Sequence, residues 1–193
     1  MKKLLVLFVA ASAALFAFKP VEPATWVADK AHSKLGFSIT HMMVSDVEGS
    51  FKNFESTIVS SQADFSDAVI SLSADVNSVS TDDEKRDGHL KSADFFDAEK
   101  FPKLTFKSTS VKKVSATKFK VSGLLTLHGV SKPVVLDATF RGVYNNQQSK
   151  KTVAGFKVTG TIKRADYNLG TKFPTAMLSD EIALDANTEF VKN

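Results

Sequence analysis

The sequence contains no cysteine, which excludes disulfide bonds, a lipidated N-terminal cysteine and thiolate chemistry. It also contains no Gly-x-Ser-x-Gly motif, the usual mark of a serine nucleophile at a strand-to-helix turn. A block of basic residues is missing as well, because the lysines are scattered among serines and threonines. We therefore expect neither an acyl-transfer enzyme nor a nucleic-acid partner.

Metal-binding spacing is missing too. The histidines do not show the two-residue or four-residue separation that brings two imidazoles onto one metal from a strand or a helix. They are His32, His41, His89 and His128. The acidic run Asp82, Asp83 and Glu84 has neither the ligand spacing nor the glycine of a calcium loop. No metal site, cofactor or catalytic residue is predicted.

The N-terminus has the order of a secretory signal, with Lys2 and Lys3 before an apolar run that extends to Phe18. This run is shorter than the roughly 20 apolar residues of a membrane-spanning helix, and small residues surround Ala17. We predict a signal peptide over residues 1–17, a flexible mature start over 18–24 and one domain over 25–193. The expected product is periplasmic or secreted and has no membrane span after processing; an uncleaved anchor is the alternative.

Polar and apolar residues alternate along most of the mature chain, which is typical of half-buried β-strands. In the clearest case Leu35, Phe37, Ile39 and His41 share one face. The other alternating segments are 68–76, 119–127, 134–140 and 182–186, with weaker ones at 51–59, 104–111 and 152–162. About eight strands, each with one apolar face, predict an all-β protein, an antiparallel β-barrel closed on itself.

One segment, residues 81–101, breaks the alternation and predicts a short helical excursion over one barrel end. Thr81 and Glu84 have the spacing of a capping box, in which each side chain accepts from a free backbone N–H group of the first turn.

Near another strand end, Arg164 and Asp166 are expected to form a structural ion pair. His41 has two interpretations: a buried histidine with a local partner, which we favour, or a ligand contact.

Four segments together resemble the YceI-like family of polyisoprenoid-binding proteins. The first runs Asp29-Lys-Ala-His32-Ser33-Lys-Leu-Gly-Phe37-Ser-Ile-Thr-His41, with Gly49-Ser-Phe51 beyond it. The others are Arg86-Asp87-Gly88-His89-Leu90-Lys91-Ser92 with Asp94-Phe95-Phe96-Asp97 and Phe101-Pro102, then Gly123-Leu-Leu-Thr126-Leu-His128-Gly129-Val130, then Arg164-Ala-Asp166-Tyr167. The chain departs from the family after Tyr167, where Asn168 stands at a position that is commonly glycine.

The resemblance implies a lipocalin-like barrel whose apolar interior holds a long-chain isoprenoid lipid, such as a quinone tail or polyprenyl phosphate, without catalysis. The inward strand faces would then supply the ligand-binding residues. These are Phe37, Ile39, His41, Ile70, Leu72, Phe106, Val121, Gly123, Leu125, Leu136, Ala138, Phe140, Val158, Ile162 and Leu184. A homodimer is compatible with the sequence.

The two strands around His128 are joined, in this interpretation, by a turn from His128 to Pro133. The pairing that follows sets Leu127 against Val134 and Gly123 against Ala138, which predicts a thin layer in the barrel at Gly123.

Two other functions stay open. One is a redox accessory protein with a metal or haem on His41 or His128, and the other is an isoprenoid-modifying enzyme that uses the region from Arg86 to His89.

Overall fold

The computed structural model describes residues 21–193. The predicted signal peptide, residues 1–17, and residues 18–20 of the predicted flexible segment lie outside the described residues. The strands are β1 (Ala24–Ala28), β2 (Lys34–His41), β3 (Ser45–Phe51), β4 (Phe54–Ser60), β5 (Val69–Asp75), β6 (Val79–Ser80), β7 (Lys103–Lys113), β8 (Lys118–Leu127), β9 (Val130–Asn145), β10 (Thr152–Lys163) and β11 (Leu178–Lys192), and the helix is α1 (Glu84–Lys91). Within residues 21–193 no helix has the length and apolar character needed to cross a bilayer.

The sheet closes into a barrel because β11 pairs with β10 on one side and with both β1 and β2 on the other. β1 and β2 thus lie end to end beside β11. β4 pairs with β1, and β3 pairs with β2, so these two strands also lie end to end. In the same way, β5 pairs with β4 and β6 pairs with β3. Each of these three pairs acts as one bent strand, so the result is the predicted antiparallel barrel of eight strands.

Antiparallel order gives the barrel two different ends. The β2–β3 turn, the segment that contains α1, the β8–β9 turn and the β10–β11 connection all lie at one end, which we call the helical end. The β4–β5 loop, the β7–β8 turn and the β9–β10 turn lie at the other end, which we call the aromatic end. Residues 81–101 therefore cover one end of the barrel, as predicted.

The predicted pairing of β8 with β9 is wrong by four residues. Leu127 pairs with Val130 and Gly123 with Val134, while Ala138 lies opposite Phe119. The turn contains only His128 and Gly129, whose φ angles of 51° and 73° suit a two-residue hairpin turn. Because four is an even number, every side chain keeps its predicted face and only its neighbours change.

Several strand boundaries also differ from the sequence prediction, and the strands expected at 134–140 and 182–186 extend over Val130–Asn145 and Leu178–Lys192. The segment expected as one strand over 51–59 divides into β3 and β4, which meet at Lys52 and Asn53. β1 and most of β3 were not predicted. β3 consists mostly of polar residues, with only Val47 and Phe51 as large apolar side chains, and such a composition gives little period-two signal.

The capping box predicted at Thr81 is wrong, because α1 begins after Asp83. The Asp83 carboxylate accepts from the Arg86 N–H at 2.9 Å and caps the helix. Thr81 instead donates its backbone N–H and its hydroxyl to the Asp87 carboxylate at 2.7 and 2.6 Å. Arg86 donates to the Thr81 hydroxyl and carbonyl oxygens, both at 2.8 Å, and so ties the start of α1 to the end of β6.

A cluster of aromatic side chains closes the aromatic end. Phe65, on the β4–β5 loop, turns into the barrel, where its ring centroid lies 5.1 Å from those of both Trp26 and Phe156 and 5.4 Å from that of Phe140. The Asp67 carboxylate holds this loop by accepting from Ser61 and Gln62 backbone N–H groups, and hydrogen bonds from neighbouring serine hydroxyls lower the pKa of this carboxyl. The loop therefore closes this end of the barrel in one fixed conformation.

Candidate ligand-binding cavity

A cavity of about 400 Å³ lies inside the barrel and is lined almost entirely by apolar side chains. Its volume falls within the range of about 300–1,000 Å³ that is usual for small-molecule sites. The walls come from inward-facing residues of β2, β3, β4, β5, β7, β8, β9, β10 and β11. Because alternate residues of each strand face inward, a continuous apolar wall is the direct result of the alternation in the sequence.

Thirteen of the fifteen sequence-predicted site residues line this cavity. They are Phe37, Ile39, His41, Ile70, Leu72, Phe106, Val121, Leu125, Leu136, Ala138, Val158, Ile162 and Leu184. Gly123 and Phe140 do not line it. At Gly123 the Phe106 ring occupies the space, since an added Cβ atom would lie 2.4 Å from Phe106 Cζ. Phe140 packs in the aromatic cluster, with its ring centroid 5.3 Å from that of Phe156.

The thin layer predicted at Gly123 is therefore absent. Val134, not Ala138, lies opposite Gly123, and the ring of Phe106 covers it from β7. The glycine permits close approach of an aromatic ring and leaves no gap. The open space of the barrel lies elsewhere, between walls that carry residues such as Ala138 and Leu184.

The mouth of the cavity is at the helical end. Arg86, His89 and Met177 line the cavity and are exposed to solvent. At the aromatic end the lining residues Phe65 and Phe190 are buried, with 3% and 4% of their surface exposed. A ligand would thus enter past α1 and the β10–β11 connection, and its far end would approach the aromatic cluster.

Two segments meet at this mouth and hold each other in place. Phe95, which follows α1, stacks on Phe173 with the ring centroids 5.2 Å apart. Asp94 accepts two hydrogen bonds: its carboxylate accepts from Lys172 Nζ at 2.5 Å, and its backbone carbonyl accepts from the Gly170 N–H at 2.9 Å. The Lys172 ammonium group lowers the pKa of Asp94, so this contact is charged at neutral pH. The mouth is consequently an ordered rim built from both segments.

Arg164 does not form the ion pair predicted with Asp166. Its guanidinium group, in a side chain with 5% of its surface exposed, donates to backbone carbonyl oxygens. The acceptors are Leu169 at 2.7 Å, Gly170 at 2.5 Å, Phe173 at 3.0 Å, Leu178 at 3.2 Å and Ser179 at 3.3 Å. No carboxylate lies within 4 Å of it among residues 21–193. Arg164 thus organises the β10–β11 connection, which is a backbone role that the sequence pattern did not indicate.

Asn168, the departure from the family pattern, takes the left-handed conformation that glycine adopts easily. Its φ and ψ angles are 55° and 30°, and its N–H donates to the Ala165 carbonyl at 3.2 Å. Asparagine is one of the few other residues that reach this region. Asn168 therefore adopts a turn conformation that glycine would also reach.

The histidines are separated in the barrel. His41 lines the cavity, and within residues 21–193 its ring has no hydrogen-bond partner, so the local partner that we favoured for it is not found. His32 lies beside Asp29, and His128 Nδ1 lies 2.9 Å from the Tyr167 carbonyl oxygen. The described part of the chain holds no group of three or more metal-ligating side chains.

Sequence reasoning named the region from Arg86 to His89 only as an alternative site and missed the other residues that form the mouth and the floor of the cavity. Phe65, Phe95, Phe173 and Met177 are in loops, where no period-two pattern marks the inward side. Ile58 is different, because it shares the buried face of β4 with Phe54 and Ser56 at a period of two, and that signal could have identified it. All of these residues line the cavity.

A closed eight-stranded antiparallel barrel with one short helix and an apolar interior cavity is a lipocalin-like β-barrel. A family model described as the YceI-like domain matches residues 26–190. The chain belongs to the YceI-like family. This confirms the resemblance found in the sequence.

Individual relatives agree with this assignment. A UPF0312 protein of Staphylococcus aureus is 39% identical over 166 residues, which are 84% of this chain and 94% of the relative. The crystal structure of BcnA from Burkholderia cenocepacia is similar with a TM-score of 0.76 at 25% identity, covering 84% of this chain and 98% of that one. A polyisoprenoid binding domain from Saccharophagus degradans has the same fold, with a TM-score of 0.63 at 20% identity, over 87% of this chain and 98% of its own.

Proposed function

We propose that this protein binds a long-chain isoprenoid lipid in the barrel interior and carries or sequesters it without changing it chemically. The observation that carries the proposal is the cavity, which has apolar walls from the mouth at Met177 to the floor at Phe65. Removing methyl and methylene groups from water stabilises such a complex by about 0.8 kcal/mol per buried CH₂. A relative with the same fold is described as a polyisoprenoid binding domain, which supports this choice of ligand.

The polar end of the ligand would lie at the mouth. Arg86 and His89 are exposed there, next to the apolar wall. Two Arg86 nitrogens already donate to Thr81, and the remaining donors of the guanidinium group are available to a head group. A quinone carbonyl or a phosphate would suit this position, while the hydrocarbon tail extends toward the aromatic cluster.

Extraction of the purified protein with organic solvent, followed by mass spectrometry, tests the proposal directly. We expect a prenyl lipid in the extract. Delipidated protein should then bind prenols of increasing length with rising affinity, because each added unit buries more CH₂ groups until the cavity is filled. A straight-chain alcohol of equal carbon number serves as the control. Empty extracts together with an affinity that does not depend on chain length would contradict the proposal.

We also propose that the protein is exported and that residues 1–17 are removed. The support is the order of Lys2, Lys3 and the apolar run that follows them. Intact mass spectrometry of the exported protein should show a chain that begins near residue 18. Recovery of the full-length chain in the membrane fraction would refute export with cleavage.

A further inference from the structure

The helical end carries an exposed apolar patch beside the mouth of the cavity. Met42, Met43 and Val44, in the β2–β3 turn, have 50%, 76% and 83% of their surface exposed, and Met177 has 40%. The Met42 N–H donates to the Met177 carbonyl at 2.9 Å, so the turn and the β10–β11 connection are adjacent. We call these four residues the methionine patch. Apolar side chains gathered at one site in this way commonly mark an interaction surface.

The backbone conformation of this turn is also unusual for methionine. Met42 and Met43 have φ angles of 51° and 59°, and the Val44 N–H donates to the His41 carbonyl at 3.1 Å. Glycine and asparagine are the residues that reach these angles readily in a tight turn, whereas methionine is strained there. The turn therefore combines unfavourable backbone conformation with unfavourable exposure, and such a local conflict indicates a functional constraint.

The methionine patch is also continuous with the mouth. Met177 lines the cavity and belongs to the patch, and His41, which precedes Met42, lines the cavity as well. A surface that covers the patch would face the opening of the cavity directly. The patch thus forms one lip of the mouth.

We propose that the methionine patch docks on the surface of a phospholipid bilayer and places the mouth against the lipid. An isoprenoid could then pass between bilayer and cavity without crossing water. The transfer of an isoprenoid rests on the proposed function, whereas the docking on the bilayer does not. A protein partner is less well supported, because stable protein interfaces use about 20–30 residues a side and the patch offers four. Flexible methionine side chains on an exposed turn need no shape complementarity to enter an interfacial lipid layer.

The test uses the double variant Met42→Asn with Met43→Gly, which gives the turn its preferred residues. Stability in urea should stay the same or increase, since the strain is relieved. Partitioning onto phosphatidylcholine vesicles, measured by co-sedimentation, should fall at least about tenfold, which corresponds to about 1.4 kcal/mol. Val114→Asn is the matched control: Val114 is 60% exposed and lies in the β7–β8 turn at the aromatic end, so vesicle binding should not change.

The possible results separate docking from ligand binding. Wild-type protein that binds vesicles through the patch, yet takes up no polyprenol from detergent solution, would uphold docking and refute the proposed function. Docking is overturned if wild type does not sediment with vesicles or if the double variant sediments equally well. It is also overturned if the double variant changes a dimer into a monomer, because the patch would then be a contact between copies.

Discussion

Ala138→Phe is expected to abolish retention of long polyprenyl chains while leaving the folded apo-protein intact. Ala138 lies on β9 between Phe119 of β8 and Val158 of β10, and its side chain lines the cavity. A phenyl ring at this position would enter space that the ligand needs. Affinity for long prenols should fall by at least about tenfold, because several CH₂ groups at about 0.8 kcal/mol each can no longer be buried. Short prenols that stay near the mouth should be affected less.

The control for this variant is Ala183→Phe, which adds the same ring to an exposed position on β11. Retention of polyprenol should be unchanged there. Urea unfolding of the delipidated proteins completes the test, because a ring forced into a filled core destabilises a fold by typically about 1–3 kcal/mol. Such a loss in Ala138→Phe would show that the barrel has no open space at this level, and full retention of long chains would show that the ligand does not pass Ala138.

Arg164→Ala is expected to lower the free energy of unfolding by about 3–5 kcal/mol. Five backbone carbonyl groups of the β10–β11 connection lose a charged donor, and water can replace it only in part. Amide hydrogen exchange should become faster between Arg164 and Leu178. Because Phe173 and Met177 line the mouth, ligand release should become faster as well.

Two further variants separate this backbone role from an ion pair. Asp166→Asn should change the free energy of unfolding by no more than about 0.5 kcal/mol, since Asp166 has no ion-pair partner among residues 21–193. Arg164→Lys should recover little of the loss, because one ammonium group cannot reach acceptors on both sides of a planar guanidinium. Equal destabilisation by Asp166→Asn and Arg164→Ala would restore the ion pair that the sequence first indicated.

Strand faces were the most predictable feature of this protein. Alternation along Leu35, Phe37 and Ile39 has a period of two whatever the neighbouring strand is, so it marks the inward side without knowledge of pairing. For this reason most of the predicted site residues line the cavity even though one register was displaced by four residues. The ordered series of motifs likewise identified the family from short-range pattern alone.

Register and caps could not be predicted in the same way, because several local solutions fit the same residues. His128 and Gly129 were enough for the β8–β9 turn, and Pro133, taken as the end of a longer turn, lies inside β9. Asp83 caps α1 although Thr81 has suitable chemistry, since Thr81 is engaged by Asp87 and Arg86. In α1 the choice was decided by hydrogen bonds between residues three to six positions apart, and the spacing of the sequence permits several such arrangements without ranking them.

The sequence by itself determined the class of fold, the inward faces and the family, because each depends on residue type and spacing along the chain. Only the tertiary structure decided where the interior is open and where it is filled. Phe65 reaches the barrel floor from a loop, Phe106 covers Gly123 from β7, and Arg164 binds carbonyls along residues 169–179. The physical reason is that packing and buried hydrogen bonds join residues from different strands and loops, and no local periodicity encodes those partners.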